Sequence, residues 1–362
     1  MLEVIEDKTS KTATPWLAPW PADDLERVPA CPVCGGTVRE TLHENLVDNV
    51  FFVAPGHWTL YWCTQCTNAY LDPRPNQASI GKAYGTYYTH AIGETRTKSN
   101  TSGALHRLKL SLFNDYANQR YGTQRQPASP WGSRLAKFLR RQRQRLDVEF
   151  RYLPRPQLAQ KLLDIGCGNG DFLASAHEAG WDVVGIDPDP KAVAVAKQRG
   201  LDVSVGSIES LTGESSCFDA ITLSHVLEHV HEPRQVIQAI HRLLKPGGVI
   251  YVDTPNIESK GAKLWGKNWR GLETPRHLVL FSLDGLVELL KAHGFENVAI
   301  KRRTAVRKFV YLSSLRMQMG KSPLDREPAR LPLMMRLRLK YSVARAENDE
   351  FLTLVAWKGK LR

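Results

Sequence analysis

Leu162-Leu163-Asp164-Ile165-Gly166-Cys167-Gly168-Asn169-Gly170-Asp171-Phe172-Leu173 decides how the rest of this chain is read. A short apolar run ends at an acid, crosses three glycines spaced two apart, and enters a segment with helical apolar spacing. That order specifies a strand, a tight turn and a helix N-terminus, the part of an α/β sheet where a ligand lies against backbone. On the C-terminal side the alternation continues. The pattern predicts strands at 161–165, 182–186, 201–205, 220–223 and 249–253, with helices at 171–179, 190–199 and 233–244. The last helix is the best marked. Pro233 suits a first helical position, Val236, Ile237, Ile240, Leu243 and Leu244 share a face, and Pro246-Gly247-Gly248 stops it. Repeated strand–helix units imply an α/β fold built on a doubly wound parallel sheet.

The second strand ends Gly185-Ile186-Asp187-Pro188, which sets Asp187 about 20 residues beyond Asp164, the separation of an acid that grips ribose hydroxyls from the neighbouring strand end. A nucleoside ligand is therefore expected. The spacing of Gly166, Gly168 and Gly170 lacks the extra residue of the dinucleotide pattern, and no Lys-Ser/Thr follows as in a phosphate-binding P-loop. Taken singly, the glycines fit a plain strand–helix turn and Asp187 a helix cap.

With Phe218-Asp219-Ala220-Ile221, Leu227-Glu228-His229-Val230 and Leu244-Lys245-Pro246-Gly247-Gly248, residues 162–295 resemble a class I S-adenosylmethionine-dependent methyltransferase. The resemblance implies a seven-stranded Rossmann-like sheet whose last strand is reversed, supplied by 351–356 after 297–301. It implies that Asp164 and the backbone at Gly166, Gly168 and Gly170 approach the methionine end of the cofactor. Asp187 and Pro188 would then lie at the ribose, Ser207 and Ile208 at the adenine, and Ser224 and His225 beside the reactive methyl. Many relatives carry an acid at the position of Ser207, so adenine recognition here would rest on backbone groups.

Upstream, Cys31-Pro32-Val33-Cys34 and Cys63-Thr64-Gln65-Cys66 flank a strand-rich stretch (50–53, then 58–62). Each short turn aims two thiolates at one tetrahedral ion, which predicts a zinc ribbon; a disulfide pair or four buried thiols are the other readings. Four thiolates leave no open position on the ion, so this zinc is expected to be structural. Thr67 stands where the knuckle usually has glycine. The organisation that follows is an arm at 1–27, the ribbon at 28–75, a helical linker or cap at 76–157 and the methyltransferase domain at 158–362. A basic helical insertion at 304–349 precedes the last strand. In the linker, the spacing predicts a short aromatic-faced helix over 80–88, carrying Tyr84, Tyr87 and Tyr88, and helices over 105–113 and 131–150.

The 362 residues are 42% hydrophobic with a net charge of +12, and the mean hydropathy is −0.33. No long uncharged apolar run and no basic-then-apolar leader is legible, so a cytoplasmic protein without transmembrane helices is expected. The positive excess concentrates in 134–155 and 301–345, which suits solvated helix faces or an anionic partner.

Methyl transfer to a hydroxyl benefits from a base, and His225, His229 and His277 are the candidates. His277 sits in the Pro275-Arg276-His277-Leu278 loop; a histidine merely bonded to backbone is the alternative. The layout resembles bacterial methyltransferases with a zinc ribbon and a Pro-Arg-His-Leu loop, others of the kind being quinone-biosynthesis O-methyltransferases. It does not resemble the sugar C-methyltransferase group. The favoured acceptor is therefore a hydroxyl of a sugar, glycan precursor or related small metabolite, with a lipid-linked or quinone-type acceptor as the alternative. RNA methylation is the runner-up on the ribbon and charge, although no base-flipping signature follows the fourth strand; a non-catalytic module is the third reading. The insertion, in which Arg302, Arg303, Arg307, Lys308, Arg316, Arg336, Arg338 and Lys340 mix with apolar residues, suits a membrane surface, a cap or a dimer contact.

Overall fold

A computed structural model describes residues 18–85, 103–211, 213–323, 330–336 and 346–360; Tyr87, Tyr88, Arg338 and Lys340 lie outside them. The glycine turn follows strand β1 (Lys161–Ile165), which is central in a seven-stranded sheet. The other strands are β2 (Asp182–Asp187), β3 (Val203–Val205), β4 (Phe218–Ser224), β5 (Leu244–Pro255), β6 (Phe295–Lys301) and β7 (Phe351–Lys358). Their order is β3-β2-β1-β4-β5-β7-β6. Neighbours from β3 to β5 run parallel, and β7 is antiparallel to both β5 and β6. The expected α/β sheet with its reversed last strand is present.

The middles of the interior strands are mostly apolar because helices cover both faces, with their polar residues concentrated toward the strand ends and at Asp164 and Thr222. Leu162, Leu163, Ala220, Ile221, Leu223, Ile250 and Val252 are all buried. The helix Pro233–Leu243 has Pro233 in its first turn and buries Val236, Ile237, Ile240 and Leu243, each contributing roughly 1.5–3 kcal/mol on burial. Among the described residues no helix is long and apolar enough to cross a membrane.

The cysteine segments build a second, four-stranded antiparallel sheet. Its order is Val279–Leu280, Ala69–Leu71, Trp58–Cys63, Arg39–Leu46. The first of these strands comes from the main domain, directly after the Pro275-Arg276-His277 loop, so the ribbon is completed by residues far beyond it. A second suture lies beneath it. Arg276 Nη2 sits 2.8 Å from both carboxylate oxygens of Asp48, and both residues are fully buried.

This suture corrects the reading of 50–53 as a strand. Asp48 accepts from the amides of Val50, Phe51, Val53 and Ala54 at 2.9–3.4 Å, which winds the segment into a turn around the carboxylate. The linker departs from expectation too. One helix over 131–150 is two, Gly132–Ala136 and Arg140–Glu149. Ser133 N donates to Asp115 Oδ2 at 2.7 Å, and a Cβ on Gly132 would collide with Leu112 O. The first piece is thus pinned to the helix Ala104–Tyr121. At 80–88, a 3₁₀ turn spans Ile80–Tyr84, and Tyr84 packs on His229, its hydroxyl 3.0 Å from Nδ1.

Removing Asp48 would strand the Arg276 guanidinium in the interior. Asp48→Ala should destabilise the protein by about 3–5 kcal/mol, read from guanidinium unfolding followed by tryptophan fluorescence. An unfolding midpoint unchanged from wild type would contradict the suture.

Candidate active site

All three glycines of the turn take positive φ, at +70°, +53° and +80°, the left-handed region that glycine enters without strain. Packing forces two of them. A Cβ on Gly166 would strike Val226 Cγ2, and one on Gly170 would strike Leu201 Cδ1. A Cβ on Gly168 would meet nothing within 4 Å, so this glycine faces open space at the end of the sheet. Asp187 completes the rim. Its carboxylate accepts from Gly168 N at 2.8 Å and from Asp189 N at 2.9 Å, and burial raises its pKa against those two bonds. Pro188 is exposed beside it, Ser207 is exposed with its hydroxyl on Glu209, and Ile208 is buried under the same edge.

Asp164 lies deeper than the turn. Oδ1 accepts from Thr222 Oγ1 at 2.8 Å and from Arg151 Nη1, whose guanidinium stacks 3.6 Å from the Phe172 ring centroid. Oδ2 is buried with no hydrogen-bond partner among the described residues. Burial raises the Asp164 pKa while Arg151 opposes the shift. Nothing in the sequence near Arg151 signals this role, since only the fold brings it under the turn.

A cavity of about 270 Å³ opens at the carboxyl ends of β4 and β5, where His225 follows the one and Pro255 ends the other. The cavity gathers the three candidate histidines, His225, His229 and His277, with Trp269, Arg270, Glu273, Arg303, Phe309, Glu350 and Phe351. Ser224 closes β4 just before them, partly exposed.

The two histidines singled out as candidate bases differ in their bonding. His225, at φ +57°, has Nε2 3.1 Å from Arg303 Nη1 and Nδ1 3.3 Å from Glu228 Oε1. An arginine only donates, so Nε2 accepts and Nδ1–H faces Glu228. In His277 the assignment reverses. Nδ1 lies 2.8 Å from Gly271 O and must donate, which leaves the Nε2 lone pair without a hydrogen bond among the described residues, 3.9 Å from Glu273 Oε2. His229 Nδ1 is 3.0 Å from Arg276 O, and its ring meets His277 edge-on with centroids 4.7 Å apart.

Electrostatics follow from this crowding. Burial, outweighing attraction to Glu273, lowers the His277 pKa to about 4, so the ring is neutral at pH 7. Burial alone would raise Glu228 and Glu273. The His225 bond and the three imidazoles overcome it at Glu228, while Arg270, His277 and Arg276 do so at Glu273; both carboxyls fall to about 2. Glu350, whose pKa burial raises, receives Trp269 Nε1 and Gly261 N, each at 3.0 Å, and so fixes the indole wall. Sequence reasoning missed Glu273, Glu350 and Arg303; the first stands in the histidine loop, but the other two reach the cavity only through β7 and the insertion.

The four cysteines of the two Cys-x-x-Cys turns converge with all Sγ atoms within 4.8 Å of one another. Cys31 and Cys66 are 3.6 Å apart, Cys34 and Cys63 3.5 Å, separations that fit thiolates about 2.3 Å from one tetrahedral zinc ion. Gly36 N and Asn68 Nδ2 point at two of the sulfurs, at 3.3 and 3.2 Å. Thr67 takes φ +58° in place of glycine, and its hydroxyl bonds to Ser282 at 2.8 Å; the unusual residue is a docking contact.

Comparison with known proteins places these features. A family model described as a methyltransferase domain matches residues 127–300. A ubiquinone biosynthesis O-methyltransferase from Xanthomonas oryzae pv. oryzae is 42% identical over 103 residues, covering 26% of this chain and 43% of that protein. One of the same name from Paracidovorax citrulli is 32% identical over 173 residues, covering 42% of this chain and 73% of that protein. The chain thus spans 43% of the length of the first curated relatives it matches. A solved SAM-dependent methyltransferase from Archaeoglobus fulgidus is 18% identical and covers 61% of this chain and 94% of that one, with a TM-score of 0.41.

The shifted pKa values fix how stability depends on pH. His277 ionises near 6.5 when unfolded and near 4 when folded, so between those values the unfolded chain holds the extra proton. Glu228 and Glu273 act in the same sense between 4.5 and about 2. Stability should therefore begin to fall as pH drops below about 6.5 and fall faster below 4.5. Denaturant titrations across this range should show that decline; a stability flat from pH 7 to 4 would refute the buried neutral histidine.

Proposed function

We propose that this chain, which belongs to the methyltransferase-domain family, transfers a methyl group from S-adenosylmethionine to a hydroxyl oxygen of a small ring-bearing acceptor. The observation that carries the reading is the His277 side chain. It is locked by Gly271 O, and its Nε2, unbonded among the described residues, borders a cavity at the carboxyl ends of β4 and β5, the same end of the sheet as the glycine turn that follows β1.

The residues of the turn fit the cofactor. The open side of Gly168 leaves room for a ligand against backbone, the unpartnered Asp164 Oδ2 suits an ammonium group, and the Asp187 carboxylate keeps acceptor capacity for ribose hydroxyls. Pro188, Ser207 and Ile208 border that side, and Ser224 with His225 stands between it and the cavity. S-adenosylmethionine, when bound, supplies an electrophilic methyl on a sulfonium.

The chain's own residues supply the acceptor side. His277, neutral at physiological pH, takes the hydroxyl proton on Nε2, and Glu273 at 3.9 Å stabilises the imidazolium that results. His225 has its Nε2 engaged by Arg303, so it positions and polarises while His277 acts as base. Trp269, Phe309 and Phe351 form walls that hold a flat ring, which restricts the acceptor oxygen to productive orientations. Such walls, together with relatives named for O-methylation in ubiquinone biosynthesis, favour a quinol-type ring over a sugar. The zinc held by Cys31, Cys34, Cys63 and Cys66 is structural, with no ligand position left for substrate.

Three measurements bear on this. Asp187→Ala should weaken S-adenosylmethionine binding in isothermal titration while leaving the circular dichroism spectrum intact; equal affinity removes its ribose role. His277→Gln should lower kcat by about 10²- to 10⁴-fold with cofactor affinity retained, and an unaltered kcat would clear it as base. Labelled methyl donor offered with catechols and with sugar hydroxyls separates the acceptor classes: transfer to catechols alone supports the ring reading, and transfer to sugars alone overturns it.

A further inference from the structure

The helix Arg307–Gln318 separates two cavities. Phe309 and Val310 line the acceptor cavity. On the other side Lys308 and Leu312 line a second cavity of about 290 Å³, closed by Arg330, Leu331 and Arg336. Three cations therefore converge on one concavity, with two leucines as the other walls among the described residues. Among the described residues none of the three pairs with a carboxylate, whereas neighbouring Arg302 and Arg307 both pair with Asp349. Beside this cavity the surface is apolar where it should be polar. Leu333 and Met334, on the helical turn at 333–336 that also carries Arg336, are each 66% exposed. Isolated exposed apolar residues need no explanation, but two adjoining a basic cavity without acidic partners form an amphipathic surface.

We propose that this second cavity receives the phosphate of an anionic phospholipid, while Leu333 and Met334 enter the acyl boundary. Charge complementarity selects the occupant. Guanidinium and ammonium groups bind a phosphate, and the exposed apolar side chains fit the hydrocarbon beside a headgroup but gain nothing from a free anion or an RNA backbone. Because one helix walls both cavities, the acceptor cavity then opens beside the bilayer, where a membrane-borne acceptor reaches the histidines without crossing water. Lipid binding does not depend on the methyl-transfer reading, and the two are measured separately.

The test is co-sedimentation of the whole protein with neutral phosphatidylcholine vesicles and with vesicles that also contain phosphatidylglycerol. Binding is expected to the anionic vesicles and to weaken with salt. Each cation near such a surface contributes about fivefold, so K308E/R330E/R336E, which reverses three of them, should weaken binding by at least about a hundredfold, with an unchanged circular dichroism spectrum. The charge-matched control K191E/K197E/K291E, on the helices Pro190–Gln198 and Leu283–Ala292 that pack elsewhere, should retain wild-type binding. L333S/M334S should lose the part of the binding that survives high salt. Equal binding to neutral and anionic vesicles, equal losses in the two charge-reversed triples, or persistence of salt-resistant binding in L333S/M334S would overturn the proposal. So would displacement from vesicles by inorganic phosphate alone, which would mark a free-anion site, or preferential capture by an RNA oligomer over vesicles.

Discussion

The buried contact between Asp48 and Arg276 joins residues 228 positions apart, and the acceptor cavity depends on it. Burying two charges is costly, and the pair is tolerated because Asp48 also gathers four backbone amides while Arg276 lies 4.4 Å from the Phe51 ring centroid. Arg276 Nε and Nη1 still lack hydrogen-bond partners among the described residues. Such a pair is better understood as fixing one arrangement than as adding stability. What it fixes is the loop. The Arg276 carbonyl holds the His229 ring, Leu278 N donates to Glu228 O, and His277 lies between those two anchors.

Much of the main sheet was legible from sequence because each strand–helix unit carries its own local signal. The apolar runs, Pro233 and the glycine turn needed no tertiary information, and their boundaries shift by only a few residues: 220–223 became Phe218–Ser224, for instance. The cysteine pairs were equally local. What could not be read was every contact made at long range. The 50–53 run has strand composition, yet a single upstream acid captured its amides. Arg151 gives no hint that it ends under Asp164, and Val279–Leu280 are too short to announce that they complete another sheet.

The candidate site shows the same division. The sequence nominated His225 and His277 together with His229 and could not separate them by bonding, because a histidine's usefulness depends on which ring nitrogen its neighbours occupy. Arg303 and Glu228 occupy both nitrogens of His225, while Gly271 O occupies only one of His277. The acidic side of the cluster has its own logic. Glu228 and Glu273 stay ionised beneath the imidazoles, so a proton taken by a ring enters a negative field already in place. The pocket is thus pre-organised for charge that appears only during proton transfer.

The shared strand has a consequence for assembly. The cysteine knuckles close over a few residues each, but the sheet they belong to lacks an edge until Leu280 of the 362-residue chain has been made, and the Thr67–Ser282 contact spans 215 positions. During synthesis from the N-terminus, Ala69–Leu71 must wait with one side unpaired while the whole parallel core emerges. A metal ion held by the four cysteines, as proposed, would precede this closure and hold the hairpin in register meanwhile. Translation order would thus let the ion arrive before the partner strand, and a ribbon cut out by itself would present a raw edge to any neighbouring chain.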